Sequence, residues 1–189
     1  MRRSLLGAVA VVAASLAGCV PSLHPLYTEQ DLVFEPALAG EWSGKDTGTW
    51  AFTRDGEKAY RLVYADTDGK SGEFAAHLLK VQGSLYLDLF PKDPEIKGND
   101  FYKAHFLPVH TFARVRQIEP TFQMAFLSAD WIKKHVKEFP DAIRHETLSD
   151  TVILTAQPKD LQAFVARNEK TEGAFGEFSD MTRKTPAQP

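Results

Sequence analysis

Cys19 is the only cysteine in a chain of 189 residues, so it has no partner for an internal disulfide. It closes the run Leu16-Ala17-Gly18-Cys19. The other residues with metal chemistry are His77, His105 and His110, since neutral imidazole is a common ligand. His105 and His110 would lie on opposite faces of a straight strand, and no HxH, HExxH or CxxC spacing supports a site. Asp66-x-Asp68-Gly69 with Glu73 has the residue types of a calcium loop but not EF-hand spacing, and a hairpin turn accounts for it. The acidic loop of Asp93, Glu95 and Asp100 reads as solvated. A serine or threonine nucleophile needs an oriented base, and no G-x-S-x-G is present. The residues therefore predict a protein that is not an enzyme, with no catalytic residue, no metal and no cofactor.

The segment that positions Cys19 begins Met1-Arg2-Arg3 and continues as an almost wholly apolar run from Leu5 to Ala17. A basic start and a short apolar stretch make an export leader rather than a permanent membrane helix. Its end, Leu16-Ala17-Gly18-Cys19, resembles the lipobox of bacterial lipoproteins. The resemblance covers only the leader and the cysteine, and all four positions match. It implies that the Cys19 sulfur receives a diacylglyceryl group, that residues 1–18 are removed as a signal peptide, and that the new amino terminus is acylated. Two or more chains hold a protein stably on a bilayer where one does so only marginally. Val20, not Asp, follows the cysteine, which by the same resemblance implies the outer membrane, lipid-anchored and facing the periplasm, with inner membrane or cell surface as the other addresses.

About 170 residues then remain, enough for one domain with a sizeable core. The formal net charge is −3 over the whole chain, and two of its basic residues, Arg2 and Arg3, belong to the leader. A mildly acidic body argues against nucleic acid and against electrostatic binding to anionic lipid. With no disulfide, the fold must rest on its core, and 43% apolar residues make that feasible.

Residues 19–39 read as a lipidated tether and lead-in segment, because Pro21, Pro25 and Pro36 discourage regular structure; His24-Pro25-Leu26-Tyr27 is placed to pack on the body. From Gly40 the pattern is β. Trp50 and Phe52 share one face of Thr49–Arg54, and Tyr60, Leu62 and Tyr64 share one face of Lys58–Ala65. Glu73–Val81 is apolar on both faces, and Leu85, Leu87 and Leu89 align on the next run. Asp55-Gly56, Asp68-Gly69 and Gln82-Gly83 are tight-turn signals, so these four strands form an antiparallel meander. Leu107–Ile118 is predicted to be one long strand or a bent pair, and Thr121–Leu127 another strand. Ser128 caps a helix over Ala129–Phe139 with an apolar stripe of Trp131, Ile132, His135, Val136 and Phe139. Thr151–Ala156 is a strand, and Pro158 opens a helix presenting Leu161, Phe164 and Val165. Gly173–Met181 is read as a helical turn, and 182–189 as a disordered tail.

Gly40-x-Trp42 resembles the GxW that opens the first strand of lipocalins, and a count of about eight strands with a helix toward the C-terminus is similar to that family. The resemblance implies a barrel whose tryptophan closes one end and whose interior holds a small apolar ligand. The residues leave two architectures open: a lipocalin-like barrel with two or three flanking helices, or a partly open antiparallel sheet covered by helices. Either is mainly β, one domain over 40–181. Trp42, Trp50, Tyr60 and Tyr64 are the candidate ligand-binding residues, with core packing as the competing role. The functional expectation is an envelope lipoprotein whose domain binds a small apolar ligand or an envelope protein. The alternatives are a structural or assembly subunit of an envelope complex and, behind it, an envelope hydrolase.

Overall fold

The computed structural model describes residues 18–92 and 96–184. The leader therefore lies outside the described residues, except for Gly18. In chain order the elements are a 3-10 turn (Pro36–Leu38), β1 (Gly40–Ser43), β2 (Thr49–Arg54), β3 (Tyr60–Ala65), β4 (Ser71–Val81), β5 (Ser84–Pro91), α1 (Asp100–Lys103), β6 (Thr111–Gln117), β7 (Thr121–Phe126), α2 (Ala129–Glu138), β8 (His145–Leu148), β9 (Thr151–Leu154), α3 (Pro158–Asn168) and β10 (Ser179–Arg183). Eight strands close into an antiparallel barrel in the order β1-β10-β7-β6-β5-β4-β3-β2, and β8 and β9 form a separate hairpin. This is the lipocalin-like barrel with flanking helices, and the open-sheet alternative is excluded. Among the described residues no helix is long and apolar enough to cross a membrane.

Alternation of side chains along each strand divides the apolar residues between two cores. Trp42, Trp50, Phe52, Tyr60, Leu62, Leu78, Leu87, Ala113, Val115, Phe122, Met124 and Met181 fill the barrel interior. Leu79, Val81, Tyr86, Phe112 and Ala125 point outward from β4 to β7 and are covered by Ile132 and Val136 of α2, by Leu161, Phe164 and Val165 of α3, and by the β8–β9 hairpin. That second layer explains why β4 is apolar on both faces. The chain from β7 to β10, residues 127–178, is one long insertion that folds back over the barrel wall.

The two ends of the barrel differ. One carries the short connections after β2, β4 and β6, and is plugged by Leu38, which is fully buried. Trp42 Nε1 donates to the Leu38 carbonyl at 2.9 Å. The guanidinium of Arg183 lies 4.3 Å from the centre of the Trp42 ring and donates to the carbonyls of Ala37 and Ala39. Gly40 sits at φ 136°, and a Cβ there would collide with Arg183 Nη1. The spacing Gly40-x-Trp42 thus has a local cause: the glycine makes room for the cation that covers the tryptophan. The two long connections, β5–β6 and β7–β10, leave from the opposite end.

Residues 19–35 are not a slack tether. Ser22 exchanges backbone hydrogen bonds with His110, N to O at 2.9 Å and 2.8 Å, and Leu23 N donates to Leu154 O at 2.9 Å. Leu26 is fully buried, and its N–H donates to Asp88 Oδ2 at 2.7 Å. Further on, β4 extends past the start of β3, and the strap fills that notch: Lys80 N donates to Asp31 O at 3.0 Å and Val33 N to Leu78 O at 2.9 Å. The prolines exclude regular structure, yet the buried Leu26 and these paired backbone groups fix the path.

Other boundaries differ from the sequence reading. β3 starts at Tyr60 and not Lys58, because the turn spans Asp55–Ala59, closed by Asp55 N to Ala59 O at 2.9 Å. β6 starts at Thr111, since His110 pairs with the strap and Leu107 stays exposed. Phe139 is 51% exposed, beyond the last turn of α2, so it does not join the stripe with Ile132 and Val136. Gly173–Met181 is not helical: Phe175 bridges Leu127, and Ser179 begins β10. Thr182 and Arg183 are strand residues, so the body runs to Arg183 and not to 181; the remainder of the expected tail, 185–189, lies outside the described residues. Replacing Gly40 by Ala forces a side chain into both the positive-φ backbone and the Arg183 guanidinium. A loss of about 2–3 kcal/mol in urea-unfolding stability is expected, together with a lower melting temperature.

Candidate functional site: a cleft at the barrel mouth

At the end with the long loops the barrel is not filled. A cleft of about 730 Å³ opens there between the β1–β2 loop, the β3–β4 loop and the strands β7 and β10. Its apolar wall consists of Trp50, Tyr64, Met124, Phe126 and Met181. The rings form one surface: Trp50 lies 4.7 Å from Tyr64 and 6.2 Å from Phe126, centre to centre. Trp50 is held in place by Nε1 donating to Thr47 O at 3.0 Å. Asp46, Asp66 and Glu177 stand among the lining residues. The cleft lining includes no histidine, lysine or arginine among the described residues, so its hydroxyls have no nitrogen base beside them.

The four residues singled out in the sequence are thus divided. Trp50 and Tyr64 line the cleft. Trp42 and Tyr60 do not: both are fully buried in the interior core. Trp42 packs 5.7 Å from Phe122, and Phe52 packs edge-on against Phe122 and Tyr60 at 5.8 and 6.2 Å. The Tyr60 hydroxyl is clamped by the backbone of Glu35, accepting from its N–H at 2.6 Å and donating to its carbonyl at 2.9 Å. Side chains fill the deep barrel, so the volume left for a ligand is at the mouth. Met124, Phe126 and Met181 belong to the cleft and were missed. The alternation of Met124 and Phe126 on β7 was legible, but neither the place of Met181 on β10 nor which end of the barrel stays open was.

Cys19 is on the rim of this cleft, with Gly18. It bridges Ser128, and the Gly18 carbonyl accepts from Ala129 N at 3.0 Å at the start of α2. Burial pushes the Cys19 thiol above its ordinary pKa. The folded body therefore keeps it protonated and does not activate it as a thiolate.

The histidines do not converge on a metal. His105 is on the exposed β5–β6 loop, with Nδ1 2.7 Å from Phe101 O. His110 Nδ1 lies 2.7 Å from Oδ1 of the buried Asp88, whose other oxygen holds the strap. The His77 ring lies 4.4 Å from that of Tyr27, tilted by 32°, and its Nδ1 has no hydrogen-bond partner among the described residues. Among the described residues no group of three or more His, Cys, Asp or Glu is placed to hold a metal. The Asp66 carboxylate accepts from the N–H groups of Asp68 and Lys70 at 3.0 and 2.8 Å. Glu73 is taken by a two-pronged pair with Arg61, both distances 2.6 Å. The calcium-loop residues are thus turn and cross-strand partners.

Comparison of the chain with protein-family models, with curated proteins and with solved structures returned no match. The class rests on architecture alone: a closed eight-stranded lipocalin-like barrel with a helical outer layer and an aromatic cleft at its mouth.

Burial lowers the His77 pKa from its ordinary value of 6.5, opposed by the nearby Asp88 and Glu29 and reinforced by His110. The fold thus prefers the neutral ring. The unfolded chain takes up the proton first as pH falls through 6.5, so this stabilising contribution is present above that pH and lost below it. His77→Phe, which keeps an aromatic ring against Tyr27, is expected to flatten the slope of urea-unfolding stability against pH below about 6.5; an unchanged slope would assign the pH dependence to other groups.

Proposed function

We propose that this protein is a bacterial envelope lipoprotein whose barrel binds a small apolar ligand at its mouth, without catalysis. The observation that carries the reading is the cleft of about 730 Å³ walled by Trp50, Tyr64, Met124, Phe126 and Met181. That volume suits a single small ligand, and the wall removes apolar surface from water at about 25 cal/mol per Å². The lipobox-like run Leu16-Ala17-Gly18-Cys19 supports attachment of the sulfur to diacylglycerol in the envelope. The absence of Asp after Cys19 supports an outer-membrane address on the periplasmic side. The filled interior narrows the ligand to one that enters only as deep as Trp50.

Two measurements test this. Native mass spectrometry of the protein purified from its own cell envelope is expected to show a bound apolar molecule, retained less by Tyr64→Ala. An empty protein, or retention unchanged by the substitution, counts against the ligand. Cys19→Ser is expected to leave the leader uncleaved and the acyl mass absent, and to move the protein out of the outer-membrane fraction. Normal processing and fractionation of that variant would refute the anchor.

A further inference from the structure

We infer that the mouth end of the barrel lies against the bilayer, and that the β5–β6 loop is an interfacial wedge which enters the lipid through Phe101, Tyr102, Phe106 and Leu107. The inference rests on the anchor reading of Cys19 and goes beyond it, because an anchor alone sets neither orientation nor contact.

Among the described residues, the loop is the one place where several large apolar side chains are exposed close together in the chain. Phe101 is 80% exposed, Leu107 75%, Tyr102 53% and Phe106 45%. Isolated exposed apolar residues need no explanation, but several within seven positions do. They are also held in order. Asn99 caps α1 by accepting from Tyr102 N at 2.9 Å. The Phe101 and His105 rings meet edge-on at 5.0 Å, as do those of Tyr102 and Phe106. Gly98 is at φ 134°, and a Cβ there would strike the Tyr102 ring, so the glycine permits the close turn. The loop is thus a small folded projection.

Its place in the barrel names what it meets. β5 ends and β6 begins at the mouth, so the loop leaves from the same end as the cleft and Cys19. Cys19 bridges Ser128 just after β7, and Ser22 bridges His110 just before β6. The two bridges are three positions apart along the strap, which limits the distance between them to about 11 Å. Leu107 is three residues from His110 and is bounded in the same way. Leu23, which follows Ser22 on the strap, is 45% exposed. The strap has no slack at this point: its backbone is paired at Cys19, Ser22 and Leu23. A sulfur fixed to lipid therefore brings this end of the barrel to the membrane surface. Aromatic residues with a lysine beside them, here Phe101-Tyr102-Lys103, are the composition of the water–lipid interface. Asp100 and the rim acids Asp46, Asp66 and Glu177 disfavour an anionic surface, so the contact is apolar and suited to zwitterionic lipid. In this orientation the cleft opens toward the bilayer, and its apolar ligand enters from the lipid and not from water.

The test uses the lipidated protein extracted from membranes and reconstituted into phosphatidylethanolamine–phosphatidylcholine vesicles. Phe101→Trp and Leu107→Trp place reporters in the loop, and Glu57→Trp places one on the exposed β2–β3 turn at the opposite end. All three positions are exposed, and circular dichroism checks that each variant folds. Acyl chains brominated near the headgroup are expected to quench the two loop reporters about twofold beyond the parent protein, since an interfacial wedge sits about 5–10 Å deep, and to leave the Glu57→Trp reporter unchanged. If the protein sediments with the vesicles but the loop reporters are not quenched, or if the Glu57→Trp reporter is, the orientation is overturned while the anchor stands. If the protein remains in the supernatant, the anchor reading itself fails and the inference with it.

Discussion

β1 and β7 each present an edge of unpaired backbone N–H and C=O groups until β10 lies between them, Trp42 and Ser43 opposite Arg183 and Thr182 on one side and Met124 to Thr121 opposite Ser179 to Thr182 on the other. An open edge is both an unsatisfied row of polar groups and a template for aggregation, and closure alone removes it. The last described strand of the chain therefore completes a structure whose other strands were laid down long before. It also delivers Arg183 to the Trp42 ring and to the carbonyls of Ala37 and Ala39, which joins the barrel's first strand, last strand and plug in one contact.

This closure dictates the rest of the architecture. For β10 to reach its place, the chain must return from the end of β7 at the mouth. The residues between fold as α2, the β8–β9 hairpin and α3 and cover the outer face of β4 to β7. The C-terminal end of α3 is tied to that face by Tyr86 Oη donating to Glu169 Oε2 at 3.1 Å and Arg114 Nη1 donating to Glu169 O at 2.9 Å. A cation there also complements the negative end of the helix dipole. Burial and the neighbouring Glu169 hold the Tyr86 hydroxyl well above its ordinary pKa, so it remains a donor.

The strap links the two cores. It starts on the cleft rim at Cys19, crosses the outer wall where Asp88 receives Leu26 N–H, fills the free edge of β4 and ends by dropping Leu38 into the closed end. A segment without helix or strand is rigid here because nearly every step has a backbone or carboxylate partner. Under the anchoring proposed for Cys19, such a strap would give the barrel a defined attitude, which a flexible linker would not.

What the residues determined by themselves was local. Period-two alternation and Asp-Gly and Gln-Gly turns are read over a few residues, so the β2–β5 meander was legible, as were α2 from its Ser128 cap and α3 from Pro158. Trp50 and Tyr64 were legible as binding candidates because they are large, aromatic and in phase. What alternation could not say is which inward side chains close over one another and which border open space. Trp42 and Tyr60 share the phase of Trp50 and Tyr64, yet the plug at Leu38 and the Glu35 clamp bury the first pair while the second faces the open mouth. Nor could local pattern find β10: Ser179–Arg183 contains a single buried side chain, Met181, and is a strand only because two distant edges await it. The position of Cys19 on the cleft rim has the same origin. Its place in space is set by backbone partners of the strap at Ser128, His110 and Leu154, all more than eighty residues away.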